Sequence, residues 1–473
     1  MSSATSFDGR AFHFEVEQDA RPAAGAFVTF TTADGVRRLG QVLESVPAES
    51  GTVGIVGRVL GEVDGDGAFL GLSGLPFTDA DVNPADEGTI DRVYAAPGAR
   101  LTIGALEASP GVPARLLPNR FNRHTFWCGQ SGSGKTYALG VVLEELLLHT
   151  ELPMVVFDPN GDFVRLRELR APKVPQGEDG GAAFDREALA GRDIRIRRPL
   201  GAVGAPAAEA GTAPLLVRFT ELRMRSKAAV LGIDPLVDRE EYNALLHYES
   251  RIASENPEQI VVDLQASADP AARALALRVE NLRLMDWELW AGNEEAITDT
   301  LDGRPDALIL DVGGFTYPDE HLVAALAVLD RLWAERERRR PVLIVIDEAH
   351  NFAGPDAESP LARAVRDRIV QIAAEGRKFG LWLLLSTQRP SKVHPGILSQ
   401  CDNLALMKMS SPVDLAELAS VFGFAPAALL ERSPLFRQGE ALFAGGFVPA
   451  PTIARMRERL TEEGGADVPV PLR

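Results

Sequence analysis

Apolar residues recur in short strand-like stretches at 11–16, 26–31, 39–46, 52–60 and 68–72. Asp34-Gly35 and the EVDGDG stretch at 62–67 supply turns between them. Short strands at this spacing predict a small all-β barrel over residues 1–115, without a catalytic constellation. From 116 the pattern changes. A short apolar run at 124–128 is followed by a glycine-rich turn. Helical spacing then appears at Leu139, Val142, Leu143, Leu146 and Leu147, and a second apolar run at 154–158 ends in an acid. Residues 161–300 interrupt this alternation. Their first part, 171–214, is rich in Ala, Gly and Pro around a strand at 193–198; their second, 220–290, reads as helical, with helices over 239–253 and 270–287. Alternation resumes with strands at 307–311, 342–346 and 381–385 and helices at 319–338 and 359–374. This predicts an α/β core over 116–450, with a mainly parallel sheet covered on both faces and functional groups at the carboxyl ends of its strands. Residues 451–473 read as a C-terminal segment, its last ten residues a tail, and no internal repeat is visible.

Composition narrows the class. The 473 residues suffice for two or three domains, and 45% hydrophobic with 25% charged residues is the balance of an ordinary soluble protein. No apolar run has membrane-spanning length, and MSSATSFDGR does not read as a signal peptide. Cys128 and Cys401 make no disulfide framework and are expected as buried thiols, so a cytoplasmic setting with no membrane partner is expected. The net charge of −18 argues against general nucleic-acid affinity but leaves room for a local basic channel. Two clusters could supply one: Arg192, Arg195, Arg197 and Arg198, and Arg331, Arg336, Arg338, Arg339 and Arg340. Solvated faces are the plainer reading of both.

The glycine-rich turn carries the chemistry. Residues 129–136 (Gly129, Gln130, Ser131, Gly132, Ser133, Gly134, Lys135, Thr136) fit G-x-x-x-x-G-K-[ST] between a strand and a helix. A strand feeding such a turn aims backbone amides and a helix N-terminus at one spot, which suits a phosphate chain. Lys135 would reach the β- and γ-phosphates of ATP, Thr136 would hold Mg²⁺, and Tyr137 lies beside the loop. The second half is the strand 342–346, which ends in Asp347-Glu348: Asp347 as Mg²⁺ ligand, Glu348 to polarise the attacking water. Asp158 and Asp311 are rival strand-end acids. Gln388, where the next strand leaves the sheet, is the candidate sensor of the γ-phosphate. Arg377, in GRKFG at 376–380, either complements the end of a helix or is an arginine supplied to a neighbouring subunit's ATP.

NRHTFWCGQSGSGKT (122–136), FDPNGDF (157–163), VLIVIDEAHNF (342–352) and GRKFGLWLLLSTQRP (376–390), in this order, resemble the HerA family, hexameric DNA-translocating ATPases related to FtsK. LTIGALE (101–107) is similar to that family's passage from barrel to core, and RQGEALFAGG (437–446) to its closing strand. The resemblance implies a RecA-like P-loop ATPase core with a helical insertion behind a small N-terminal β-barrel. It implies a homohexamer that hydrolyses ATP with Mg²⁺ and moves double-stranded DNA. By motif position it makes Arg123 a second arginine near the nucleotide and matches Arg377 to the finger. It also implies an effector partner, either a NurA-like nuclease in DNA repair or a nuclease or sirtuin-like enzyme in phage defence. In the alternative reading the ring is an ATP-dependent scaffold or regulator of such an effector.

Overall fold

A computed structural model describes residues 2–33, 35–48, 51–64, 68–171, 180–202, 211–249 and 257–465. The chain forms two units. Unit one comprises 1–150, 388–391 and 401–460; unit two comprises 151–387, 392–400 and the residues from 461. Asp34, the turn tip at 65–67, residues 172–179 and 203–210 of the Ala/Gly/Pro-rich stretch, 250–253 of the expected helix and the tail from 466 lie outside the described residues.

The first seven strands are β1 (Ser3–Ser6), β2 (Ala11–Glu17), β3 (Phe27–Thr31), β4 (Arg37–Pro47), β5 (Thr52–Val63), β6 (Phe69–Gly71) and β7 (Phe77–Pro84). Their order is β2-β1-β7-β3-β4-β5-β6, and a β2–β5 ladder closes the barrel with β6 outside it. Phe12, Phe14, Phe30, Val42, Ile55 and Phe77 fill the interior. Gly57 on β5 makes room for an aromatic ring: a Cβ there would stand 2.2 Å from Phe12 Cζ.

The chain continues through α1 (Glu87–Ala95), β8 (Leu101–Leu106), β9 (Pro113–Leu116), β10 (His124–Cys128) and α2 (Lys135–His149). Then come β11 (Met154–Asp158), α3 (Gly180–Ala190), β12 (Ile194–Arg198), β13 (Thr212–Pro214), α4 (Met224–Val230) and α5 (Arg239–Glu249). Next are α6 (Pro257–Gln265), α7 (Pro270–Asn281), α8 (Ile297–Asp302), β14 (Ala307–Asp311), α9 (Glu320–Ala334), β15 (Val342–Ile346), α10 (Pro360–Glu375) and β16 (Leu381–Thr387). The last elements are α11 (Pro395–Leu398), β17 (Cys401–Met407), α12 (Pro412–Val421), α13 (Ala427–Leu430), β18 (Glu440–Gly445) and β19 (Thr452–Met456).

In unit one, β10 runs parallel to β17, and β17-β18-β19-β8-β9 continue antiparallel. In unit two the strands are all parallel, in the order β13-β12-β14-β11-β15-β16, and β11, β14 and β15 are buried throughout. Among the described residues no helix is long and apolar enough to cross a membrane.

Three expectations change. Residues 1–115 are not all β: Ile90, Val93 and Tyr94, at helical spacing, bury one face of α1, and β8 and β9 pair in the second sheet. The segment after 451 begins as core, because β19 is a sheet strand between β18 and β8. The insertion is interleaved with the sheet, since β12 and β13 inside it pair beside β14; its helical part packs α5 and α6 on α7.

Candidate functional site

In unit one, buried strand β10 delivers the chain into the glycine turn. Gly129 is required by close approach: a Cβ there would stand 2.8 Å from both Met407 Cβ and Ser133 Oγ. Gly132 (φ 75°) and Gly134 (φ 86°) adopt left-handed backbone that L side chains resist. The turn is tied down from outside. Gln130 N donates to Lys408 O at 2.8 Å, Ser410 N donates to the Gln130 side-chain oxygen at 3.1 Å, and Gly439 N donates to Ser133 O at 3.1 Å. The Gln130 side chain therefore serves the protein's own backbone. Helix α2 begins at Lys135 with no side-chain cap and no acid in its first turn, so its leading amides suit an anion. Lys135 and Ser133 are buried, Ser133 Oγ has no hydrogen-bond partner, Thr136 and Tyr137 are half-buried, and Ser131 and Gly132 are exposed.

The far side of α2 is held by charge. Arg457 reaches Glu144 at 3.0 Å and Glu145 at 2.8 Å, while Arg459 and Glu144, both fully buried, approach to 3.7 Å. Arg459 N donates to Tyr137 Oη at 2.8 Å, one residue past Thr136. Burial pushes the thiols of Cys128 and Cys401 well above the ordinary range, so both stay protonated and unreactive.

In unit two, three parallel strands end in acids. Asp158, fully buried, accepts from Asp162 N at 2.9 Å and Phe163 N at 2.7 Å. Burial pushes its carboxyl up to about 8; the two amides pull the other way, and the charges of Asp162 and Asp347 add to the rise. Asp311 accepts from Arg198 Nε at 2.9 Å, and burial raises it against that pull. Both rival acids thus commit oxygens to neighbouring donors. Asp347 is fully buried, and its amide donates to Phe157 O at 3.0 Å. Glu348 has φ 44°, a left-handed conformation for a non-glycine residue, and opens a short turn in which Asn351 N donates to Glu348 O at 2.9 Å. His350 Nδ1 lies 3.3 Å from Glu348 Oε2 and 3.1 Å from Thr387 Oγ1. Sequence reasoning gave His350 and Thr387 no role; the DEAH spacing and the threonine ending the next strand were the available signals.

Arg377, half-buried, sits in the turn Gly376–Phe379 at the amino end of β16, whereas Thr387 closes its carboxyl end. In register, Val342 faces Leu381 and Ile346 faces Leu385, so Arg377 and Glu348 belong to opposite ends of one sheet. The seven residues of β16 span about 20 Å. Arg123 stands likewise at the amino end of β10, a strand of about 13 Å whose other end carries the glycine turn, and it approaches Asp402 at 3.7 Å. Gln388 is half-buried and belongs to unit one. The basic clusters are largely spent on local partners. Arg192 faces Asp306, Arg195 Asp193, Arg197 Glu295 and Arg198 Asp311. Arg331 pairs with Asp302 and Arg338 with Glu335, and Arg336 lies over Trp333 at 4.6 Å; Arg339 and Arg340 are exposed.

Residues 101–279 match the family model of the central domain of helicase HerA. The DNA double-strand break repair helicase HerA of Pyrococcus furiosus is 23% identical over 94% of this chain and 89% of its own length. The probable DNA double-strand break repair helicase HerA of Methanocaldococcus jannaschii is 23% identical over 96% of this chain and 95% of its own. Among solved structures, the bacterial conjugative coupling protein TrwB, in a trigonal form with sulphate, aligns with 80% of this chain and 95% of its own at 15% identity and a TM-score of 0.47. Along nearly its whole length the chain is similar to these HerA helicases, and with the glycine turn and the strand-end acids it is a P-loop ATPase.

Proposed function

We propose that the protein is a HerA-type ring motor that couples ATP hydrolysis to movement along double-stranded DNA. The observation that carries the reading is the separation of Arg377 from its own Glu348 by the length of β16, about 20 Å. An arginine so placed stabilises phosphoryl transfer only at another copy's site, which requires a neighbouring copy of the chain, within a homohexamer by family resemblance. The amides of 130–136 and Lys135 hold the triphosphate, Gln388 senses its terminal phosphate, and Glu348 orients the water. Arg123 is a second arginine for a neighbouring site. Thr136 and Asp347 are the protein's ligands for Mg²⁺, which neutralises charge on the phosphate oxygens. Among the described residues no group of three or more His, Cys, Asp or Glu could hold a metal ion. The DNA substrate is supported by the relatives, whose names are those of DNA double-strand break repair helicases. Exposed Phe7, Leu70, Leu72 and Leu75 on and beside the barrel strands support a protein partner there, such as a nuclease.

Steady-state ATPase assays with and without duplex DNA test the reading. Turnover should rise several-fold with DNA at low salt, and the stimulation should fade as salt increases, because phosphate contacts release counterions. Turnover indifferent to duplex DNA at low salt would remove DNA from the function and leave an ATPase of other purpose.

A further inference from the structure

We propose that His350 is a positioning residue for hydrolysis: its ring holds the Glu348 carboxylate and couples it to Thr387 at the end of β16. The inference rests on Glu348 being the group that orients the attacking water.

Three features of unit two carry it. The first is backbone. Glu348 is a non-glycine residue at φ 44° and ψ 49°, in a region that costs such a residue about 1–2 kcal/mol. It is pinned there by the short turn it opens and by its place behind buried Asp347. The turn brings the side chain two positions on back toward the carboxylate. The second is contact. One atom, His350 Nδ1, lies 3.3 Å from Glu348 Oε2 and 3.1 Å from Thr387 Oγ1. The carboxylate only accepts hydrogen bonds and the Thr387 hydroxyl can donate or accept, so one ring nitrogen stands within reach of both oxygens. A displacement of Thr387 moves the ring that stands beside Glu348. The third is chain position. Thr387 is fully buried, closes β16 and precedes Gln388, the candidate phosphate sensor. A shift at Gln388 reaches Thr387 through one peptide bond and Glu348 through one imidazole nitrogen.

The burial pattern separates this from a core histidine that has merely found partners. The Glu348 side chain is 7% exposed and that of His350 is 21% exposed, so the ring is only partly buried and does not fill the core. Removing it should leave the buried strands intact and take this contact from both the carboxylate and the Thr387 hydroxyl.

The test compares His350→Ala, His350→Asn and Glu348→Gln in the full chain, each measured for kcat, KM and equilibrium affinity for a fluorescent ATP analogue. Asparagine is the conservative variant because its amide nitrogen can occupy the place of Nδ1 and donate to the same carboxylate. His350→Ala should lower kcat by about 10–100-fold, the range lost when a catalytic group is misplaced, with nucleotide affinity within about twofold of wild type. His350→Asn should recover most of the kcat. In a Glu348→Gln background, His350→Ala should cost nothing further, because the group it positions is already gone. A wild-type kcat in His350→Ala overturns the inference. So does a kcat for His350→Asn as low as that of alanine when both bind nucleotide normally, and so does a full additional loss in the double mutant. Should His350→Ala fold poorly, His350→Asn and Thr387→Val decide it: near-wild-type kcat for the first with a several-fold drop for the second supports the coupling, and any other pairing refutes it. Were Glu348→Gln itself to hydrolyse ATP normally, the reading of Glu348 would fall, a result distinct from failure at His350.

Discussion

Gly140 occupies an interior position of α2, where glycine costs a helix about 1 kcal/mol against alanine. Its neighbour explains its use. A Cβ at Gly140 would stand 2.5 Å from Arg459 Cζ, in a guanidinium fully buried against Glu144. The helix forgoes propensity so that a charged side chain can lie flat on its back, beneath the residues that follow the glycine turn. Three effects compete in Gly140→Ala. Propensity favours the variant by about 1 kcal/mol, overpacking opposes it by about 1–3 kcal/mol, and disturbance of a buried ion pair adds to the penalty. The penalties win, and the thermal midpoint should fall by several degrees. The decisive comparison adds Arg459→Met. With the guanidinium gone, the alanine methyl has less to strike, so Gly140→Ala should cost less in the Arg459→Met background than in wild type. Equal losses in both backgrounds would show that the glycine is retained for some reason other than Arg459.

At the scale of elements, α1 shows a short helix specified by its cap. Asp86 accepts from Thr89 N and from Thr89 Oγ1, both at 2.8 Å, and these bonds, the hydroxyl's first, hold its carboxyl below the usual value of 3.8. Its contribution is present above that value and is lost as pH falls through the lower folded value. Asp86→Ala should speed amide exchange across 90–94 about fivefold at neutral pH, the worth of a cap near 1 kcal/mol, and the difference from wild type should close in acid. Exchange unchanged at neutral pH would make packing of Tyr94 and Val93 the whole support of the helix. The same element marks how far the sequence was legible. Nine residues with three buried apolar positions give less periodic signal than the long α2, α9 and α10. Runs such as 342–346 and 154–158 were plain because a strand buried on both faces is apolar throughout. Pairing partners were not plain: that β8 follows the barrel yet lies against β19, more than 340 residues on, is a non-local fact that no local pattern encodes. The glycine turn and the Asp347-Glu348 pair were legible because backbone and charge requirements fix residue types. His350, Thr387 and Arg459 were not, because their partners are set by the turn and by tertiary packing.

At the scale of the whole molecule, the placement of Arg377 decides what one chain can accomplish alone. Glu348 lies where β15 ends, and Arg377 lies where β16 begins. A parallel pair holds these positions apart by a strand's length, so no side-chain rotation brings them together. If one end of the sheet serves the neighbour on one side and the other end serves the site of the chain itself, the contact is head-to-tail, and such contacts close into rings when the rotation allows. Arg377→Ala should then bind nucleotide normally and lose about 10³–10⁵ in turnover, as Glu348→Gln should by a different defect. Mixed in equal amounts and allowed to exchange subunits, the two inactive variants should regain activity. A Glu348 from the Arg377→Ala chain meets an Arg377 from the Glu348→Gln chain at about a quarter of the interfaces, so turnover should approach that fraction of wild type if sites act independently and less if they must fire in sequence. A cis-acting arginine predicts no recovery at any mixing ratio, since every chain then carries its own lesion. Recovery that rises with the degree of subunit exchange is the signature of an arginine donated from one chain to the next.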